Sequence, residues 1–321
     1  MAVKKKNKDI SDNTLAKRMS WKKDWKKNKT IYFLFIPLAI YLFIFSYIPM
    51  TGILMAFENY KVKLGWFHSP WVGMDNFVKL FSGSTFLLAF RNTAAMAVLN
   101  LVIGFLPPII LAILFSEARW IPFRRVAQLI SYMPNFVSTV VVCNLLQQFM
   151  GKDGPITLIL SSVFGLENKN WLADNQIPVF WIIYALMNVW IGMGWGSIIQ
   201  TTAISNVNGE LKEAAALDGA NRWQRVWHIV IPALVPLCMM QLTLAVGTMF
   251  MAGWDKILIL YMPTTYNVTD VLYTYTYRMA FGSKVDYGLS TASGLFQSLL
   301  GTALLLISNK LNNKATGYSL Y

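Results

Sequence analysis

Six stretches of this chain carry no Asp, Glu, Lys or Arg over a length that crosses a bilayer: 31–57, 92–116, 126–151, 175–209, 226–254 and 287–309. Roughly 20 apolar residues in a helix traverse the hydrocarbon, and a charge at a span centre costs on the order of 3 kcal/mol. Each run therefore predicts one helix, six in all, and the fold class is all-α membrane protein. Between the fourth and fifth runs the pattern changes to NGELKEAAALDGANRWQRVWHIVIPALVP, residues 208–236. Asn208 is a plausible N-cap for a short helix from Gly209 to Leu217. Gly219 supplies a position where the chain turns at positive φ. Asn221 with Gln224 three residues on makes a capping box, so a second helix starts at Arg222. It runs toward Pro232, which has no amide hydrogen and kinks or ends it. Pro107, Pro108, Pro134 and Pro236 interrupt other runs, as hinges or as packing kinks.

Composition and charge add sidedness. Of 321 residues, 55% are hydrophobic and 13% charged, with 20 Phe and 12 Trp; a soluble domain carries about 25% charged residues. The net charge of +13 is concentrated at the start, in Lys4, Lys5, Lys6, Lys8, Lys17, Arg18, Lys22, Lys23, Lys26, Lys27 and Lys29. Just before an apolar span, such a run is a cytoplasmic retention signal near anionic lipid rather than a nucleic-acid arm. Residues 1–30 are thus a basic cytoplasmic tail, with Trp21 and Trp25 on a short interfacial helix, and 31–321 form the membrane domain. The first apolar run is too long for a cleaved signal peptide. Six crossings place both termini on one side, the cytoplasm. Arg119, Arg124 and Arg125, then Lys212, Arg222 and Arg225, then Lys310 and Lys314 fall on that side, as positive-inside bias requires. The 208–232 loop is cytoplasmic by the same argument.

Several chemistries are missing. Cys143 and Cys238 lie in apolar runs and behave as small hydrophobes. His68 and His228 have no metal-ligand spacing around them, so no metal site is expected. Gly151-Lys152 is followed by Asp153 where a phosphate loop needs Ser or Thr. No nucleophile–base constellation is present, and the spans hold no acid or base for proton coupling. If ATP powers the protein, another chain must bind it.

Glu213, Ala214 and Ala215, then Leu217, Asp218, Gly219 and Ala220, then Ile229, Ile231 and Pro232 resemble the EAA loop of bacterial ABC importer permeases. The stretches Trp71-Val72-Gly73-Met74-Asp75-Asn76-Phe77 and Arg91-Asn92-Thr93 resemble the segment before the second span of carbohydrate permeases. Asp270-Val271-Leu272, Thr274-Tyr275 and Tyr277-Arg278 resemble the outer loop before their last span. The ending Gly317-Tyr318-Ser319-Leu320-Tyr321 is similar to that of the subgroup importing alginate and pectin fragments. The resemblance implies a six-helix type I importer permease in the bacterial plasma membrane, not an enzyme, moving oligosaccharides. It implies a second, different permease, two ATP-binding subunits docked on the EAA loop, and an extracellular solute-binding protein. No cofactor would sit on this chain; ATP and magnesium would be held by the partner ATPases. The alternatives from other classes are a secondary sugar carrier and a non-transporting membrane scaffold.

A sugar path needs aromatic faces and neutral amides and hydroxyls. Asn188, Trp190, Ile191, Gly192 and Trp195 are similar in spacing to a substrate-lining stretch of the maltose-type permeases. Thr248 and Met249, with Ala245 and Ala252, fall at the corresponding places of the fifth span. Here this chain is less polar than those relatives, which implies a wider path suited to a longer glycan. Helix packing is the competing reading, with Gly192 and Gly196 forming a G-x-x-x-G pair. Asn135, Ser138, Asn144, Gln147 and Gln148 of the third run are read first as helix–helix hydrogen-bonding groups.

Overall fold

The structure is a computed structural model that describes residues 21–176, 179–251, 254–317 and 320. The tail residues 1–20, the side chain of Trp21, Ala252, and Tyr318, Ser319 and Tyr321 of the ending lie outside the described residues. The chain divides into two compact units, Met1–Leu54 and Met55–Tyr321.

In the first unit, helix α1 (Trp21–Leu42) is bent at Asn28 (φ −113°, ψ 20°). The bend separates about two lysine-rich turns from the apolar span. Trp25 stacks on Tyr32 with ring centroids 4.9 Å apart, and the Tyr32 hydroxyl bonds to Asp24. A π turn, Phe43–Tyr47, and a 3₁₀ segment starting at Ile48 follow, around Pro49. The span is apolar on every side, as a lipid-facing helix is.

The second unit contains α2 (Asp75–Ser82), α3 (Ser84–Glu117), α4 (Ile121–Tyr132), α5 (Thr139–Phe149), α6 (Pro155–Phe164), α7 (Val179–Ser205), α8 (Gly209–Leu217), α9 (Arg222–Arg225), α10 (Ile231–Thr248), α11 (Trp254–Leu260), α12 (Tyr266–Thr269), α13 (Leu272–Phe281) and α14 (Tyr287–Thr316). Five of the predicted runs form helices long and apolar enough to cross a membrane. The third does not form one helix. Ile121–Phe136 and Thr139–Phe149 meet at 96°, so the span expected over 126–151 is a broken one. Pro134 withholds an amide hydrogen, and Val137 and Ser138 are extended (ψ 134° and 136°), which stops the helical ladder.

The other prolines do not break their helices. Helix α3 runs through Pro107 and Pro108, and α10 through Pro236. Pro232 neither ends nor interrupts the fifth span, which is continuous over Arg222–Thr248. A π turn at Val226–Val230 precedes it, with the Ile231 amide donating to the Val226 carbonyl five residues back. The widened turn absorbs the clash that a proline ring makes with the preceding turn.

Small residues set the helix contacts. Helices α3 and α7 pack along their length, with Gly196 facing the Pro108 ring, which a Cβ at Gly196 would meet at 3.2 Å. At Gly194 a Cβ would lie 1.9 Å from the Ser131 carbonyl oxygen of α4. Helices α10 and α14 cross at Gly247 and Gly301, where a Cβ on Gly301 would meet the Gly247 oxygen at 2.7 Å. Gly192, the other half of the expected glycine pair, has nothing within 4 Å. The packing glycine is therefore Gly194, two residues along.

The segments 71–77, 91–93 and 270–278 turn out to be clamps. Asn76 is buried and donates to the Ala56 and Glu58 carbonyls at 3.0 and 2.9 Å. Asn92, fully buried, donates to the Asn267 and Asp270 carbonyls. The Thr93 hydroxyl accepts from the Leu272 amide at 2.8 Å. Asp270, buried, takes both arms of Arg278 at 3.0 and 2.6 Å and the Thr274 hydroxyl at 2.7 Å. These polar groups replace water for one another in an apolar setting, which is the condition for burying them.

Candidate functional site

Two regions carry features beyond packing: the loop after α7 and a cavity between α3, α7 and α10. In the loop, the Asn208 side chain accepts from the Glu210 amide at 2.9 Å and starts α8. At its end the Ala220 amide donates to the Ala215 carbonyl (2.9 Å) and the Gly219 amide to that of Ala216 (3.2 Å). With Gly219 at φ +83°, this is a Schellman turn, which needs a residue without a Cβ. Asn221 and Gln224 then exchange bonds of 2.9 and 2.7 Å as a capping box, and α9 begins. Lys212 reaches the Ile204 carbonyl at 3.3 Å and so ties α8 to the C-terminal end of α7. Ala112, Ile204, Val230 and Leu234 form a small buried cluster joining the ends of α3, α7 and α10.

Glu213, Ala214, Leu217, Asp218 and Gly219 are exposed, and Ala215 and Ala220 half-buried. Leu217 is 89% exposed, and Leu211, Trp223 and Trp227 also point to solvent. A short helix held at both ends but presenting large apolar side chains is suited to receive another surface.

The cavity measures about 390 Å³, within the range of small-ligand sites. Thr93, Met96, Asn100 and Gly104 come from α3, Tyr184 and Asn188 from α7, and Ala245 and Thr248 from α10, with Met249 just beyond it. Lys256 and Ile257 of α11, and Val271 and Tyr273, close it. Asn188 is the centre of its polar wall. Its amide nitrogen donates to the Asn100 oxygen at 2.9 Å, and its oxygen accepts from the Lys256 ammonium at 2.7 Å. Burial holds the Lys256 ammonium below the ordinary lysine value, and the neighbouring Asp255 carboxylate partly offsets this. Among the described residues no three His, Cys, Asp or Glu gather as a metal site would require.

Of the expected path residues, the cavity brings together Asn188, Thr248 and Met249, with Ala245. It does not take in Trp190, Ile191, Gly192 or Trp195. At about 100° per residue, Trp190 lies about 200° around the helix from Asn188, and Trp195 shares its face but sits about 10 Å further along. Trp190 and Trp195 are about half exposed, and Trp195 meets Phe136 edge-on at 5.6 Å. Ile191 packs against the larger buried cluster. In the third run Gln147 donates to the Ile259 carbonyl at 3.2 Å, an inter-helix bond.

Lys256 escaped the sequence reading because it follows the fifth apolar run rather than interrupting one. Its signal was available: between Arg225 and Arg278 it is the sole Lys or Arg. Asn100 and Tyr184 carried no such signal, since an amide or a phenol within a span is ordinary.

The family described as "binding-protein-dependent transport system inner membrane component" matches residues 17–316. The chain belongs to this family. As a permease it is a transport subunit, not an enzyme, and the alternatives of a lone carrier and a scaffold fall away. Protein LplB of Bacillus subtilis (strain 168) is 35% identical over 310 residues, 96% of each chain. The polygalacturonan/rhamnogalacturonan transport system permease protein YteP of the same organism is 35% identical over 288 residues, covering 90% of this permease and 89% of YteP. A solved bacterial alginate ABC transporter, in complex with an alginate pentasaccharide-bound periplasmic protein, contains a chain 33% identical to this one. That likeness covers 93% of this permease and 99% of that chain, with a TM-score of 0.84.

Proposed function

We propose that this permease is one half of a translocation pore for oligosaccharides, paired with a second, different permease, two ATP-binding subunits and an extracellular solute-binding protein. Both termini and the α8 loop face the cytoplasm. ATP and magnesium are held by the partner subunits. The observation that carries the reading is the loop: Lys212 ties α8 to the end of α7, and that end shares the Ile204–Val230–Leu234 cluster with the start of α10, yet the outer face of α8 is open. A motor subunit gripping Glu213, Ala214, Leu217 and Gly219 would move both helices together. Those helices supply Asn188 and Thr248 to the cavity, so nucleotide-driven motion at the loop reaches the substrate path. The relatives' printed names, for polygalacturonan, rhamnogalacturonan and alginate, support a glycan as the cargo.

Glu213→Lys reverses an exposed charge without touching the membrane domain. Gly219→Asp forces a Cβ into the left-handed region, at a cost of about 1–2 kcal/mol, although no neighbouring atom lies within 4 Å of where that Cβ would sit. Both variants are expected to insert and fold normally while losing at least tenfold in oligosaccharide uptake and in the ATPase stimulation given by loaded binding protein. Wild-type uptake and stimulation in both would remove the coupling role.

A further inference from the structure

Among the described residues that line the cavity, Lys256 is the one charged group. It makes no contact ion pair there: among the described residues no carboxylate lies within 4.0 Å of its ammonium, and the neighbouring Asp255 acts on it only from further away. An ammonium has three N–H donors and no acceptor, and here one donor is spent on the neutral Asn188 oxygen at 2.7 Å. Asn188 is itself held by Asn100, so the ammonium is anchored rather than free to swing. A cation needed only for folding would sit opposite a buried carboxylate, as Arg278 does with Asp270. A lysine placed against a cavity wall and tied to an amide keeps its charge available for a ligand.

We propose that Lys256 is a specificity-determining residue that reads a carboxylate on the translocated glycan, so that this pore favours uronate-bearing oligosaccharides over neutral ones. The proposal rests on the reading of the cavity as part of the substrate path. Asn188 acts as the positioning residue, fixing the ammonium toward the cavity. The carboxylate would take the remaining N–H donors as charge-assisted bonds, roughly twice as strong as neutral ones. The hydroxyls and rings of the sugar would meet Thr248, Asn100 and Tyr273, all on the same cavity wall set. Because the anchor is an amide and not an acid, it holds the ammonium in place without neutralising the charge that the substrate carboxylate would meet.

The test uses the assembled importer in proteoliposomes with its binding protein. Initial uptake is measured for a uronate tetrasaccharide and for the same tetrasaccharide with its carboxyls reduced to alcohols, each at a concentration saturating the binding protein. Lys256→Gln is expected to lower the uronate rate about tenfold further than the neutral rate, and Lys256→Arg to restore most of the difference. Co-purification of the partner subunits establishes that each variant assembles. A Lys256→Gln complex that slows both sugars equally, or neither, overturns the assignment. Thr248→Trp, which fills the cavity, tests the underlying path separately: if it transports both sugars at the wild-type rate, the cavity is not the route and the assignment falls with it.

Discussion

Gly194→Ala is expected to destabilise the assembled permease strongly, while Gly192→Ala, two residues earlier in the same helix, is expected to be neutral or slightly stabilising. Both add one methyl group to α7. At Gly194 the new Cβ would lie 1.9 Å from the Ser131 oxygen and 2.4 Å from its carbonyl carbon, both backbone atoms of α4. Neither can rotate away, so α4 and α7 must separate along their contact. Overpacking of this kind costs about 1–3 kcal/mol and more where backbone must move. At Gly192 the Cβ meets nothing within 4 Å, and alanine in a helix interior is favoured over glycine by about 0.5–1 kcal/mol. Thermal unfolding of the purified transporter, read by size-exclusion recovery after heating, separates the two by several degrees. Equal midpoints would mean that the α4–α7 contact yields without cost. The contrast matters for function because Ser131 lies in the helix just before the break at Pro134, and α7 carries Asn188 into the cavity.

Asp270→Ala is expected to cost on the order of 3–5 kcal/mol, the penalty for leaving a buried charge without its partner. Asp270 is 2% exposed, and its carboxylate holds Arg278 through two bonds and the Thr274 hydroxyl through a third. Its backbone carbonyl also accepts from Asn92. Removing the carboxylate strands Arg278 against the Tyr266 ring, 4.9 Å away. The loosened segment is the one that presents Val271 and Tyr273 to the cavity. The comparison is Lys169→Met, which removes a cation pairing with Asp174 at 2.7 Å; this pair is about as enclosed as the first, but its loss strands no cation, and Asp174 keeps the bond it accepts from the Gln176 amide. Folded yield and melting temperature should fall steeply for Asp270→Ala and little for Lys169→Met. Similar losses in the two would show that the stranded Arg278 is not what gives the Asp270 pair its weight.

The loop from Asn208 to Gln224 was legible in the sequence because each of its signals acts within a few residues. An N-cap amide, a left-handed glycine and a capping box close their hydrogen bonds over two to five positions, and the structure forms each one at the residue named. The third apolar run, a broken span, shows the opposite case. Absence of charge states that a segment avoids water, but says nothing of its direction, and Pro134 with two extended residues turned it by 96°. The prolines themselves were ambiguous. Pro108 is seated against Gly196, and Pro232 is relieved by a π turn, so neither breaks a helix, although the same residue type does so at 134.

Sequence by itself determined the membrane class, five of the spans, the capped loop and the family, since charge-free length and short-range hydrogen bonding are properties of consecutive residues. Only the tertiary structure decided which polar groups share a cavity. Asn188 and Lys256 are 68 positions apart and Asn188 and Asn100 are 88 apart, and their meeting depends on which faces of α3 and α7 the glycine contacts turn inward. A helix repeats every 3.6 residues, so Trp190 beside Asn188 in the chain points away from it, while a lysine in a later helix points toward it.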